Sequence, residues 1–334
     1  MPAPRLPVRP RILIVALDNL GDLVFASSLP PAIRARYPDA MIGLWSKAYT
    51  APIAPLMPDL DWSTHADPFW DAAPGSAKGD VSPFLRAVAA VRRARFDAAL
   101  VASPQWRVAA AVAATRIPVR IGQRRNYNPL LLTHVLPPAD RFGRPVVDDL
   151  GSLLEPIDAR PTTLATYLDP SSLEPLRHTL RQRVGAAPVA TINPFVTLAP
   201  VGIPIPIWVD TARALRDRGS TVVWSGTPAQ LATLHRDVPL EPGWLSAADL
   251  TDGSLRAATA LLSVSDVYLG CDSGPLHLSA ALGVPVVGVF PNLTKLPRFA
   301  PQGRGPSTVV TPPPGGTITA ATILAGVDAL PRAN

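Results

Sequence analysis

The residues best suited to chemistry are Cys271-Asp272-Ser273-Gly274-Pro275, with His277 close behind. An apolar run (Val267, Tyr268, Leu269) precedes them, and Gly270 reads as the point where that strand breaks. Leu276 to Leu282 reads as a helix stopped by Gly283, and Val284 to Phe290 as a second buried strand. Strand, tight loop, helix and strand thus follow within Asp266 to Pro291, with the polar residues gathered at the helix start. A helix start offers unpaired N–H groups and a positive dipole end, which suit a phosphate or pyrophosphate. Gly274 allows close approach to the backbone, and Ser273 and His277 add side-chain donors. That is the chemistry of a nucleotide or nucleotide-sugar site. Plainer uses compete with it: Asp272 as a helix cap, His277 as a satisfied core histidine, and Cys271 as a small buried residue.

A second polar cluster, Asp18-Asn19-Leu20-Gly21-Asp22, ends the apolar run Arg11 to Leu17. A helical stretch from Leu23 to about Arg36 follows it. Asp22 is either the cap of that helix or a carboxylate placed for acid–base work. Arg120, Arg124 and Arg125 stand beside Gly122 after another strand, where they either line a cleft or belong to a solvated loop. The five histidines (His65, His134, His178, His235, His277) show no metal-ligand spacing. No GxxxxGK[ST] loop occurs, and no GxGxxG follows the first strand, which counts against a P-loop NTPase and an ordinary dinucleotide oxidoreductase. No cofactor is expected.

The elements that must hold these clusters alternate between strand and helix. In the first half, strands read at Arg11–Leu17, Met41–Trp45, Ala98–Ala102 and Pro118–Ile121, with helices at Ser82–Arg95 and Trp106–Ala114. In the second half, strands read at Val189–Ile192, Thr221–Trp224 and Thr308–Thr311, with helices at Ile207–Arg218, Leu255–Ser263 and Ala320–Leu330. Such alternation implies parallel sheets with helices on both faces, an α/β architecture. A stretch rich in Pro, Thr, Ser and Asp (Glu155 to Leu173) and a charged helix (Leu173 to Arg183) separate the halves, placing a domain boundary near residues 160 to 185. Two such halves would open a cleft at the C-terminal ends of their strands, with the Asp22 and Asp272 loops facing across it.

The chain has 334 residues, 47% of them hydrophobic and 17% charged, as expected of a well-buried globular protein with two domains. Its net charge is +6, and of 31 basic residues only Lys47, Lys78 and Lys295 are lysines. An Arg-rich surface suits acidic partners such as phosphorylated sugars, nucleotides or anionic headgroups. The bases form no aromatic-interleaved stripe, so nucleic acid is not expected as a partner. Cys271 is the lone cysteine, leaving no internal disulfide. No apolar segment of signal-peptide or membrane-span length is present, so a cytoplasmic protein is expected, compatible with peripheral membrane contact. No obligate protein partner is indicated.

Taken together, these motifs resemble glycosyltransferase family 9, the lipopolysaccharide heptosyltransferase family. RILIVALDNLGDLVFASSLPPAIRARYPDA looks like the family's opening strand, "LGD" loop and following helix, and DVYLGCDSGPLHLSAALGVPVVGVFP looks like its donor site. RIGQRRNYNPLLL and RPVVDDLGSLLEPID follow the family's middle region more loosely. The resemblance implies a GT-B fold of two Rossmann-like domains, with residues 1–165 on the acceptor side and 166–334 binding the donor. It implies metal-independent, inverting sugar transfer from a nucleotide-activated donor such as ADP-heptose to a sugar or glycolipid hydroxyl. Asp22 would be the general base. Asp272, Ser273, Gly274, His277 and Asn193 would bind the donor, and Asn19, Gly21, Arg120, Arg124 and Arg125 would lie on the acceptor side.

Two departures accompany the likeness. Asn193 to Trp208 lacks the base with which family members contact the donor phosphate, and Thr227 to Gln230 lacks the acidic residue that follows the next strand. These leave open a different donor with a small-molecule acceptor, compensation by another arginine, or a nucleotide-sugar-binding scaffold that has lost catalysis. A sugar-nucleotide epimerase of the same fold fits less well, because no cluster of catalytic carboxylates and histidines stands out.

Overall fold

The computed structural model describes residues 3–71, 81–140, 143–196 and 202–331. The chain divides into two compact units, one running through Thr166 and the other starting at Tyr167. The first contains β1 (Arg11–Ala16), α1 (Leu20–Ala26), α2 (Leu29–Arg36), β2 (Met41–Ser46), β3 (Trp62–His65), α3 (Ser82–Ala94), β4 (Ala98–Val101), α4 (Trp106–Ala114), β5 (Val119–Gln123), β6 (His134–Leu136) and α5 (Val146–Gly151). The second begins with α6 (Glu174–Val184), β7 (Val189–Asn193), α7 (Ile205–Asp217), β8 (Thr221–Trp224), α8 (Pro228–Asp237), β9 (Trp244–Ser246) and α9 (Ala247–Leu250). It continues with α10 (Leu255–Ser263), β10 (Val267–Cys271), α11 (Gly274–Ala281), β11 (Val286–Val289), α12 (Leu296–Phe299), β12 (Ser307–Val310) and α13 (Ala320–Asp328).

Each unit is built on a six-stranded sheet, ordered β3-β2-β1-β4-β5-β6 in the first and β12-β11-β10-β7-β8-β9 in the second. All paired strands run parallel. In a parallel sheet covered on both faces the central strands read as continuous apolar runs, as RILIVA of β1 does. Strand order reverses between β1 and β4 in one sheet and between β7 and β10 in the other. Sheets of this kind bind ligands outside the carboxyl ends of the strands at that reversal.

Three local differences from the sequence reading have physical causes. The helix expected from Leu23 to Arg36 is two helices, because Pro30 and Pro31 cannot donate to the preceding turn. Ser27 and Ser28 fill the break, their hydroxyls donating to the carbonyls of Val24 (2.6 Å) and Phe25 (2.8 Å). Secondly, β10 does not break at Gly270 but runs through it to Cys271. A Cβ there would lie 2.7 Å from the Tyr268 hydroxyl and 3.0 Å from the Asn193 carbonyl, so glycine serves close packing rather than a turn. Finally, the edge strands β3, β6 and β9 have only three or four residues, too few for a periodic signal, and helices α5, α8, α9 and α12 were also not read from the sequence. Among the described residues, no helix is long and apolar enough to cross a membrane.

Candidate functional site

In the first unit, β1 delivers the chain to the strand-order reversal at Asp18. Asn19, in extended conformation, is the N-cap of α1. The helix therefore begins at Leu20, three residues earlier than read from the sequence, and Asp22 lies inside its first turn instead of capping it. The Asn19 N–H donates to Asp22 Oδ2 (3.2 Å), and Asp22 is exposed to solvent. The capping geometry thus fixes the direction of an accessible carboxylate. Gly21 is half-buried beside it, and Asn19 is exposed.

Charged and polar groups from neighbouring loops gather around this turn. Gln105, which precedes α4, donates through Nε2 to Asp18 Oδ1 (2.9 Å), joining the loops after β1 and β4 across the reversal. Burial raises the Asp18 carboxyl above its ordinary value of 3.8, outweighing the Gln105 hydrogen bond and the Lys47 charge. Lys47, just past β2, pairs with Asp71 (Nζ to Oδ2, 3.1 Å) and donates to Asn19 Oδ1 (3.4 Å). The Tyr49 hydroxyl is pushed up to about 12, first by burial and then by the carboxylates of Asp22, Asp67 and Asp71. Sequence reasoning puts Asp18 in this loop without a role of its own, and it missed Lys47, Tyr49 and Gln105 as members of this group.

The three arginines separate. Arg124 and Arg125 are exposed in the loop after β5, at the same C-terminal edge of the sheet as Asp22. Arg120 does not join them, because it lies near the opposite end of β5. Its guanidinium donates to the main-chain carbonyls of Leu131 (2.8 Å) and Ile117 (2.6 Å), which makes it a brace for the strand.

In the second unit, Ser273 is the N-cap of α11 and Pro275 stands in its first turn. Pro275 fits there because the first helical N–H groups have no intrahelical partner. Asp272, Ser273 and Gly274 are half-buried and His277 is buried. His277 Nε2 lies 3.2 Å from Asp272 Oδ1, and Lys295 Nζ lies 3.5 Å from Asp272 Oδ2. Asn193, the last residue of β7, is the register partner of Gly270 and accepts the Phe195 N–H through Oδ1 (3.1 Å). The donor-side residues read from sequence therefore gather at the β7/β10 reversal. Burial raises the Cys271 thiol to about 11 and also pushes up the Tyr268 hydroxyl, so both stay protonated near neutrality.

Lys295 is a base at this loop to which the sequence reading gave no role. It lies 23 residues from Asp272, in the short turn Leu293–Lys295 ahead of α12. Its signal was its type, for it is one of three lysines in an arginine-dominated chain. The base-free stretch Asn193 to Trp208 lies partly outside the described residues, at 197–201, as does Lys78. Where an acidic residue was sought, Thr227 caps α8 and Gln230 answers it: the Thr227 N–H donates to Gln230 Oε1 (2.9 Å) and the Gln230 N–H to Thr227 Oγ1 (3.3 Å). Among the described residues, no three His, Cys, Asp or Glu side chains converge to hold a metal ion.

A family model described as "Glycosyltransferase family 9 (heptosyltransferase)" matches residues 84–305. Lipopolysaccharide heptosyltransferase 3 of Escherichia coli is 23% identical over 290 residues, 81% of this chain and 80% of that protein. A glycosyl transferase family 9 structure from Veillonella parvula superposes with a TM-score of 0.79 at 16% identity, covering 96% of each chain. E. coli ADP-heptose lipopolysaccharide heptosyltransferase II gives 0.77 at 22% identity, covering 96% of this chain and 98% of the other. E. coli heptosyltransferase WaaC, solved with ADP, gives 0.75 at 18% identity, covering 95% of this chain and 99% of the other. The two parallel six-stranded sheets share the GT-B fold of these structures.

Proposed function

We propose, from the premise that the chain belongs to glycosyltransferase family 9, that this glycosyltransferase moves a heptose-type sugar from an ADP-activated donor to a sugar or glycolipid hydroxyl. The reaction inverts the anomeric centre and runs without a metal in the cytoplasm. The first unit takes the acceptor and the second the donor. One observation carries the reading: each sheet presents its polar loop at its own strand-order reversal. One loop holds the exposed Asp22 carboxylate, and the other holds Asp272, His277 and Lys295 at a helix start.

The chemistry follows from these groups. Asp22 accepts the proton of the acceptor hydroxyl as its oxygen attacks the anomeric carbon. The bond from that carbon to the diphosphate breaks on the opposite face, and negative charge builds on the departing phosphate oxygens. N–H groups at the start of α11, His277 and Lys295 stabilise that charge. Lys295 supplies the cation absent from the sequence Asn193 to Trp208, and Arg124 and Arg125 attract an anionic acceptor from the β5 end of the first sheet. Among the relatives named above, one is an ADP-heptose heptosyltransferase and another was solved with ADP, which supports that donor here.

A second reading, a glycosyltransferase with another donor and a small-molecule acceptor, rests on Thr227 and Gln230. Both are committed to capping α8 where family members place an acid. Calorimetry and thermal shift with ADP, UDP, GDP, CDP and dTDP, followed by the matching diphosphosugars, separate the readings. Preference for ADP and ADP-heptose supports the first, and preference for another nucleotide the second. Absence of binding by all five would sink both and leave a scaffold that has lost its ligand.

A further inference from the structure

Lys47 is almost wholly buried, its side chain only 1% exposed, yet it ends in a charge. Its main chain is fixed on several sides. The Lys47 carbonyl accepts from the Thr50 N–H (3.3 Å) and hydroxyl (2.9 Å), and the Ala48 N–H donates to Asp67 Oδ1 (2.9 Å). Just before it, Ser46 Oγ meets His65 Nδ1 (2.9 Å), tying the exits of β2 and β3 together. The ammonium is thereby aimed at Asn19 Oδ1 (3.4 Å) in the loop after β1, and it also pairs with Asp71 Oδ2 (3.1 Å) beyond β3.

Stability does not explain this lysine. Taking an ammonium out of water is costly, and an apolar side chain of similar volume serves a core at least as well. The chain also uses arginine almost everywhere, so lysine here is a departure from its own habit. A compact point charge fits between one amide oxygen and one carboxylate, where a planar guanidinium fork does not.

We propose that Lys47 is a positioning residue for the Asp22 site, gripping the Asn19 side chain so that Asn19 holds the Asp22 carboxylate and relays a buried positive charge toward it. The proposal rests on the reading of Asp22 as the base and adds a residue to it. Lys47 is too enclosed to touch substrate and acts through Asn19, whose N–H donates to Asp22 Oδ2 (3.2 Å). Among the described residues, the charged and titratable groups around that turn include Asp18 on its own loop, Lys47 and Tyr49 from the exit of β2, and Asp67 and Asp71 from the exit of β3. Helix α5, which packs on α1, adds Asp148 and Asp149, the latter paired with Arg144 (2.6 Å). In an acidic group of this kind, taking away a positive charge disfavours any further negative charge.

The test is a carbon-13 NMR titration of the aspartate carboxyls in the full chain without ligand, with the Asp22 signal assigned by its loss in Asp22→Asn. Lys47→Met should move the Asp22 midpoint upward while ADP binding by the second unit stays unchanged. Asn19→Ser keeps a helix cap but cannot reach Lys47, and should move the midpoint in the same direction by less. An unmoved Asp22 midpoint in folded Lys47→Met, or in Asn19→Ser where Lys47→Met does not fold, overturns the proposal. Sugar transfer that survives Asp22→Asn would instead remove the base assignment, a result the titration does not mimic.

Discussion

His277 Nε2 lies 3.2 Å from Asp272 Oδ1, so the histidine in the first turn of α11 reaches back to the residue before its own cap. That contact sets the ring's orientation at the helix start, where a phosphate would meet the first N–H groups. His277→Ala removes one donor and leaves a gap in a buried position. Its melting temperature without ligand should fall, so nucleotide binding must be scored against the variant's own ligand-free value. ADP should then stabilise it far less than the parent, with affinity down roughly tenfold, or about 1.4 kcal/mol. Undiminished stabilisation by ADP would remove His277 from the donor site.

Lys295 approaches the other oxygen of Asp272 at 3.5 Å with its side chain 36% exposed. A partly exposed pair at this distance contributes little to folding. Lys295→Met should therefore leave ligand-free melting nearly unchanged but weaken ADP by about 1 kcal/mol, roughly fivefold. Its effect should shrink as salt rises and be smaller for adenosine than for ADP. Equal losses for adenosine and ADP would show that Lys295 acts on the nucleoside or on the loop, not on phosphate.

What could be read from sequence divides by distance along the chain. The strand–helix alternation, the parallel sheets and the loops around Asp22 and Asp272 follow from local signals: apolar runs, Gly and Pro punctuation, and polar residues at helix starts. Lys47 and Lys295 did not emerge, because each reaches its partner from another strand's loop, 28 and 23 residues away. Asp18 and Gln105 meet across 87 residues only because β1 and β4 are neighbours. Arg120 read as a cleft residue because sequence gives its nearness to Gly122 but not the end of β5 it occupies. Gly270 read as a strand end because its effect, clearance for Tyr268 and the Asn193 carbonyl, is tertiary.

Asp22→Asn keeps the side-chain size and an oxygen that can accept from Asn19, so α1 should stay capped. It removes the proposed proton acceptor. Sugar transfer should fall by about 10²- to 10⁴-fold, the usual contribution of a positioned base, while ADP affinity is unchanged. A drop in ADP affinity matching the drop in rate would show that Asp22 acts in binding.

Gly270→Ala tests the packing beneath the second loop. The added methyl meets the Tyr268 hydroxyl and the main-chain carbonyl of Asn193, and that carbonyl belongs to the central strand β7. Overpacking of this kind costs about 1–3 kcal/mol. Denaturant unfolding should show that loss, with ADP affinity reduced as well because Asp272 follows directly on β10. A neutral substitution would mean that Tyr268 can swing away.

Asp18 supplies a pH signature of the first loop. Burial raises its carboxyl above 3.8, so the folded chain holds that proton more tightly than the unfolded chain does. Ionisation of Asp18 therefore costs stability. The cost is absent below pH 3.8, grows as pH rises toward the raised value, and is fully present above it. Asp18→Asn keeps an oxygen for the Gln105 amide and removes the charge, while Lys47 retains Asp71. The variant should melt higher than the parent at pH 7 and match it near pH 3. A lower melting temperature at pH 7 would show that the attraction between Lys47 and ionised Asp18 outweighs burial. The acidic cluster around Lys47 would then hold the loop chiefly through charge.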